Sequence, residues 1–191
     1  MEGMLMIVYL GSIHRFEQFN KENVVQNFSY DLNTIGFWFT SNISTAKPYA
    51  TGTETVFQKS ETDFWEDGEP KVVQIEKLIK GFIYKVYMDE PNLKEYETHS
   101  EDSFDLFMRE RDLYCDYLGG TKRNLSWKDH AILLNKEEAN SEFRKNLMRQ
   151  GYEGCLIRNT KQLQNGVTDL YCIFSENSLH IADVIPVDDL E

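Results

Sequence analysis

Two rhythms of apolar residues divide this 191-residue chain. Near both ends they come in short runs or alternate with polar positions, as strands require. Between residues 100 and 150 they recur every three or four positions, as amphipathic helices require. Leu5–Leu10 is a short apolar run and Ile35–Thr40 an aromatic one. Across Gly81–Met88, Phe82, Tyr84, Val86 and Met88 alternate with Ile83, Lys85 and Tyr87, which predicts a strand covered on both faces for part of its length. In the helical stretch, Phe104, Phe107, Met108, Cys115 and Leu118 share one face, and Ala139, Phe143 and Leu147 follow at four-residue spacing. Gly154–Arg158, Leu170–Phe174 and His180–Ile185 return to the strand pattern. Strands at both ends with helices between them predict an α+β fold.

Local signals refine the boundaries. Ser41–Ala50 reads as a short helix with a Ser or Asn cap, although Pro48 lies inside it and removes a backbone donor. Residues 51–70 are polar and acidic and read as a mobile loop before a strand at Lys71–Ile75. Ser100 is placed to cap the first long helix, with Glu101 and Asp102 in its first turn and Gly119-Gly120 as its stop. Ser126-Trp127-Lys128-Asp129 resembles a capping box for a second helix, and Gly151 closes a third. With four prolines and no repeat or low-complexity tract, the chain reads as one domain over residues 1–191.

Composition narrows the function classes. A hydrophobic content of 41% can fill a core. Thirty-two acidic against twenty basic residues leave a net charge of −12, which disfavours contact with nucleic-acid phosphates or anionic lipid. No apolar run reaches the ~20 residues of a membrane span. Cys115, Cys155 and Cys172 are odd in number and lack metal or disulfide spacing, so they read as small core residues in a reducing, cytoplasmic setting. His14, His99, His130 and His180 lack metal-ligand spacing, and no metal site is expected. Phosphate-loop, dinucleotide-fold, zinc-protease and serine-hydrolase signatures are missing from the sequence. The acidic stretches Glu61–Asp63, Glu66–Glu69 and Glu95–Asp105 read as a solvated face or, more sharply, as contacts for a basic partner such as a nucleic-acid-binding protein.

Two groups of segments carry a specific order. The first is Val8-Tyr9-Leu10-Gly11-Ser12, then Gly36-Phe37-Trp38-Phe39-Thr40, then Ser44 and Tyr49. The second is Gly151-Tyr152-Glu153-Gly154 before an apolar strand, then Asp169-Leu170-Tyr171-Cys172-Ile173-Phe174 and Leu179-His180-Ile181. Together, over residues 8–50 and 151–182, they resemble the ADP-ribosyltransferase fold. The branch is the one shared by poly(ADP-ribose) polymerases, diphtheria-type toxins and many small bacterial and phage proteins. The resemblance implies a split antiparallel sheet with a helical insertion at about 100–150, NAD as substrate, and a phage or mobile-element origin. It further implies that Trp38 and Tyr49 hold the nicotinamide ring, with Phe39 beside them on the strand. Gly11 and Ser12 would bind at the end of the first strand, and Ser44 would match the family serine. The two rings read alternatively as ordinary core aromatics.

At two positions the chain departs from the family. Leu10 stands where a ribose-binding His is expected, and Leu170 where a Glu stabilises the cationic, oxocarbenium-like ribose. Asp169 is the replacement carboxylate the sequence offers, although strand alternation points it away from the Leu170 face. Thr168 shares that face and carries a hydroxyl, and His14 follows Leu10 in the next loop. Three functions fit this pattern. One is an NAD-dependent mono-ADP-ribosyltransferase with an atypical site, acting on a protein or nucleic acid. Another is a catalytically degenerate relative that binds a protein partner or a nucleotide. The last is an acidic inhibitor that imitates nucleic acid.

Overall fold

The apolar run near the start of the chain becomes β1 (Met6–Ser12), and the aromatic run becomes β2 (Phe37–Thr40), which follows a single helical turn, α1 (Tyr30–Asn33). The computed structural model describes residues 6–20, 30–123, 136–161 and 166–190; the helix read after Ser126 lies outside them. After β2, the side chain of Asn42 caps α2 (Ile43–Ala46), which tightens into a 3-10 turn over Lys47–Ala50. Pro48 sits in the first turn of that 3-10 segment, where its missing N–H is tolerated.

Residues 51–70, expected as a mobile loop, are instead most of an extended hairpin. β3 (Thr51–Phe64) pairs antiparallel with β4 (Pro70–Lys80) as a separate two-stranded ribbon. Its turn is closed by Gly68 N–H donating to Trp65 O at 2.9 Å and Trp65 N–H donating to Glu69 O at 2.8 Å. Gly68 takes φ +86°, a conformation glycine adopts without steric cost. The sequence hides this strand because the usual signal is alternation against a core, and among the described residues none covers either side of the ribbon.

The remaining strands are β5 (Phe82–Met88), β6 (Leu93–Tyr96), β7 (Gly154–Thr160), β8 (Thr168–Ile173) and β9 (His180–Pro186). With β1 and β2 they form one sheet in the order β6–β7–β8–β2–β1–β5–β9. All neighbours are antiparallel except β6 and β7. A parallel pair needs a crossover, and α3 (Ser103–Arg123) and α4 (Lys136–Arg149) supply it. β1 pairs with β5 along its whole length, but touches β2 through the single register pair Tyr9↔Thr40.

The crossover helices lay Phe104, Phe107, Phe143 and Leu147 on the face that carries Trp38, Cys155, Ile157, Leu170 and Cys172. The opposite face carries Leu10, Phe37, Phe39, Tyr84, Tyr171 and Ile173 and is covered by Phe16 and Phe19 from the chain after β1. The Tyr84 hydroxyl pins that chain by accepting from Phe16 N–H at 2.6 Å, while the two rings stack at 4.0 Å. Ala139, Phe143 and Leu147 are buried as their spacing predicts, and two residues past the end of α4 the chain turns at Gly151, which has φ +91°.

The start and stop signals of α3 differ from expectation. Asp102, not Ser100, caps it by accepting from Phe104 N–H at 2.9 Å, and its second oxygen accepts from Lys161 N–H at 2.8 Å. The helix continues through Gly119-Gly120 to Arg123, since a helical glycine costs only about 1 kcal/mol and does not by itself end a helix. Burial pushes the Asp102 carboxyl up. Hydrogen bonds from Lys161 N–H, Phe104 N–H and the Thr160 hydroxyl, with the Lys161 charge, outweigh burial and hold it below the ordinary carboxylate range.

Phe107→Ala should cost about 3–5 kcal/mol in urea denaturation, whereas Phe57→Ala on the ribbon should change stability by no more than about 0.5 kcal/mol. Asp102→Ala should cost about 1–2 kcal/mol at pH 7. A carboxyl depressed on folding stabilises above its unfolded value and loses that contribution as pH falls through its folded value, so the gap between the two proteins should narrow on acidification.

Candidate functional site

Two segments near the start of the chain and one near its end meet at the centre of the sheet. β2 lies between β1 and β8, with Trp38 opposite Cys172, and Thr40 opposite both Leu170 and Tyr9. α2 follows directly and packs across β1. A Cβ on Gly11 would lie 2.1 Å from Ala46 O and 2.8 Å from Ala50 N, so only glycine permits this approach. Ser44 is exposed and engaged in the helix cap, its backbone N–H and hydroxyl both donating to Asn42 Oδ1 at 2.9 Å. Tyr49, half-buried, packs against the same cluster as Trp38, and burial pushes its phenol up.

The strand pleat separates the remaining expected site residues. Trp38 and Leu170 face the crossover helices and Gly11, on the same side of the sheet, faces α2 and its 3-10 turn; Leu10, Ser12 and Phe39 face the other way. Leu10 and Leu170 therefore lie in different cores rather than at two ends of one slot. The expectation that Trp38 and Tyr49 form an open ring-binding slot is corrected at Trp38. Its side chain is 3% exposed, and its ring meets Phe107 edge-on at 5.7 Å and Phe104 at a tilt at 6.3 Å. Its indole N–H donates to Leu32 O at 2.9 Å. The physical reason is the crossover: α3, laid on this face, places two phenylalanines where a flat ligand ring would stack.

Asp169 points away from Leu170, as alternation requires. Its Oδ2 accepts from Arg158 Nη1 at 2.9 Å and its Oδ1 from Asn159 N–H at 2.9 Å, while Arg158 Nη2 donates to Glu95 Oε1 at 2.8 Å. The register of β7 against β8 slips between Ile157 and Thr160, and Asn159 there takes φ +53°. Asp169 thus clamps a β-bulge and neutralises a guanidinium. These jobs occupy both of its oxygens.

Thr168 belongs to a hydroxyl ladder that the sequence did not reveal. Its Oγ1 lies 2.9 Å from Thr40 Oγ1 and 3.1 Å from Ser41 Oγ, and Thr40 Oγ1 lies 2.5 Å from Thr45 Oγ1. Thr45 in turn donates to Asn42 O at 2.8 Å. The ladder ties β8 to β2 and to the start of α2, but carries no charge with which to stabilise a cation. No spacing rule links Thr168 to Thr40, because the contact spans 128 positions of chain. His14 is exposed, in a segment held through its backbone rather than its ring.

Other reactive groups are quiet. Cys115, Cys155 and Cys172 are buried free thiols, and burial pushes Cys155 up to about 12 and Cys172 well above the ordinary thiol value. Among the described residues no group of His, Cys, Asp and Glu is arranged to hold a metal ion. Within the same residues no helix is long and apolar enough to cross a membrane. In comparisons with known proteins, no family model, curated protein or solved structure matches the chain.

Placing a carboxylate at position 170 should not create a site. Leu170 is 1% exposed among Trp38, Ile157 and Phe107, so Leu170→Glu would bury a carboxyl without a charged partner. A loss of about 3–5 kcal/mol is expected in chemical denaturation, with no gain of NAD cleavage.

Proposed function

We propose that this chain is a catalytically degenerate relative of the ADP-ribosyltransferases that works by binding a protein partner. Two features support the relationship. Of the segments that carry the resemblance, three occupy adjacent strands, β1, β2 and β8, while Leu179-His180-Ile181 opens the edge strand β9, and the sheet is loosest between β1 and β2, where one register pair joins them. Absence of transfer chemistry is inferred from one observation: the side chains that would have to converge on NAD do not converge. Leu10 and Leu170 fill opposite cores, the Trp38 ring is covered by phenylalanines, and Asp169 is committed to Arg158 and Asn159 N–H. Without a preorganised group beside the ribose, the cationic transition state gains no electrostatic stabilisation.

Incubation with labelled NAD and cell lysate should leave all proteins, including this chain, unlabelled. NAD at millimolar concentration should leave the melting temperature unchanged, whereas a nucleotide present at one hundred times its Kd would raise it by about 5–10 °C. Transfer of label that survives denaturing electrophoresis would overturn the proposal.

A further inference from the structure

The β3–β4 ribbon has no core of its own and is not paired with the main sheet. At its base it is anchored by Gly81 N–H donating to Ala50 O at 2.7 Å and by a Lys80–Asp188 ion pair at 2.9 Å. Beyond that base it extends for about 40 Å, at ~3.3 Å per residue. Register places Phe57, Val72 and Leu78 on one side and Val56, Ile75 and Ile79 on the other. Phe57 is 71% exposed and Leu78 62%. At the tip, Phe64 and the 60% exposed Trp65 border an open hollow of about 610 Å³, lined also by Glu66, Asp67 and Lys71. Uncovered aromatic and aliphatic surface of this extent marks an interaction site, and a two-stranded ribbon open on both sides gains stability when a partner covers it.

Charge selects the occupant. Residues 59–71 carry five carboxylates, Glu61, Asp63, Glu66, Asp67 and Glu69, against two lysines, Lys59 and Lys71, of which Lys71 covers one face of the Trp65 ring at 5.1 Å, so the tip is net acidic. A second copy of this chain, itself at −12, would bring like charge to the tip, and nucleic acid or anionic lipid would do the same. Flat rings flanked by carboxylates reproduce the pattern of a single nucleic-acid strand, in which bases stack and phosphates carry negative charge. Protein grooves for such strands combine Lys and Arg with aromatic stacking surface.

We propose that the tip of this ribbon docks into a cationic protein groove built for single-stranded nucleic acid, with Trp65 and Phe64 on its stacking surface and the surrounding carboxylates on its Lys and Arg side chains. The inference names the partner class for the binding function proposed above and rests on that reading.

The test uses the full chain with p-benzoylphenylalanine in place of Phe64, the exposed ring beside Trp65 at the tip, and, as a control, in place of Leu113, an exposed position on α3. Each protein is photolysed in lysate of the cells that produce it, and adducts are identified by mass spectrometry. Position 64 should yield an adduct with a protein that, once purified, binds an oligothymidine strand. Excess oligothymidine, a rise from about 0.1 to about 0.5 M NaCl, and Trp65→Ala should each lower the yield at least about tenfold, with the melting temperature of Trp65→Ala within about 2 °C of the parent. The inference is overturned by no adduct, by an adduct with a second copy or with lipid, by equal yield from position 113, or by adducts that resist both oligothymidine and salt. Labelling by NAD with the adduct intact would remove the degenerate-enzyme reading and leave the docking arm standing. An unlabelled lysate without an adduct would do the reverse.

Discussion

Burial of β2 on both faces is the constraint from which the rest of the structure follows. All four residues of Phe37–Thr40 are buried. Phe37 and Phe39 need cover on one side and Trp38 on the other, so one layer cannot suffice. The crossover helices meet one demand, and the chain after β1, held by the Tyr84 hydroxyl and the Phe16 stack, meets the other. The same double burial makes Trp38 a core residue. An indole that packs against Phe104 and Phe107 and donates its N–H to a backbone carbonyl has neither a face nor a donor left for a ligand.

Polar residues at the centre of the sheet are likewise spent on holding strands together. Asp169 closes a bulge and balances Arg158, and Thr168, Thr40 and Thr45 bridge two strands and a helix. Buried polar groups must find partners, and those that find them inside the fold stop being available for chemistry. A carboxylate shared between a guanidinium and a backbone N–H differs in this respect from one left facing a cleft, although both look alike as an Asp at a strand start.

The ribbon of β3 and β4 obeys the opposite logic. Its strands satisfy each other's backbone groups but bury little, so its side chains remain on offer. Body and arm divide the work physically: the body supplies cooperative stability, and the arm supplies apolar and acidic surface whose alteration leaves the core intact. Lys71 places its ammonium 5.1 Å above the Trp65 ring at the tip.

Local patterning made much of the fold legible. The α+β class, the two-sided burial of Tyr84 and Ile83, the inward face of α4 through Ala139, Phe143 and Leu147, and the three late strands are all written in residues close together in the chain. Periodicity records whether an element has a buried face, and caps and glycines record where its backbone turns. Neither records which element lies opposite. The long strand at 51–64 leaves no such pattern because no described residue buries either of its faces. α3 passes through Gly119-Gly120, a pair that reads locally as a stop, because the cost of two helical glycines is smaller than the gain from packing the helix on the sheet. The site depended most on tertiary structure. The distribution of Leu10, Trp38, Leu170 and Asp169 between two faces, and the filling of the space over Trp38 by a helix some 65 positions later, come from long-range pairing and packing that spacing along a chain does not encode.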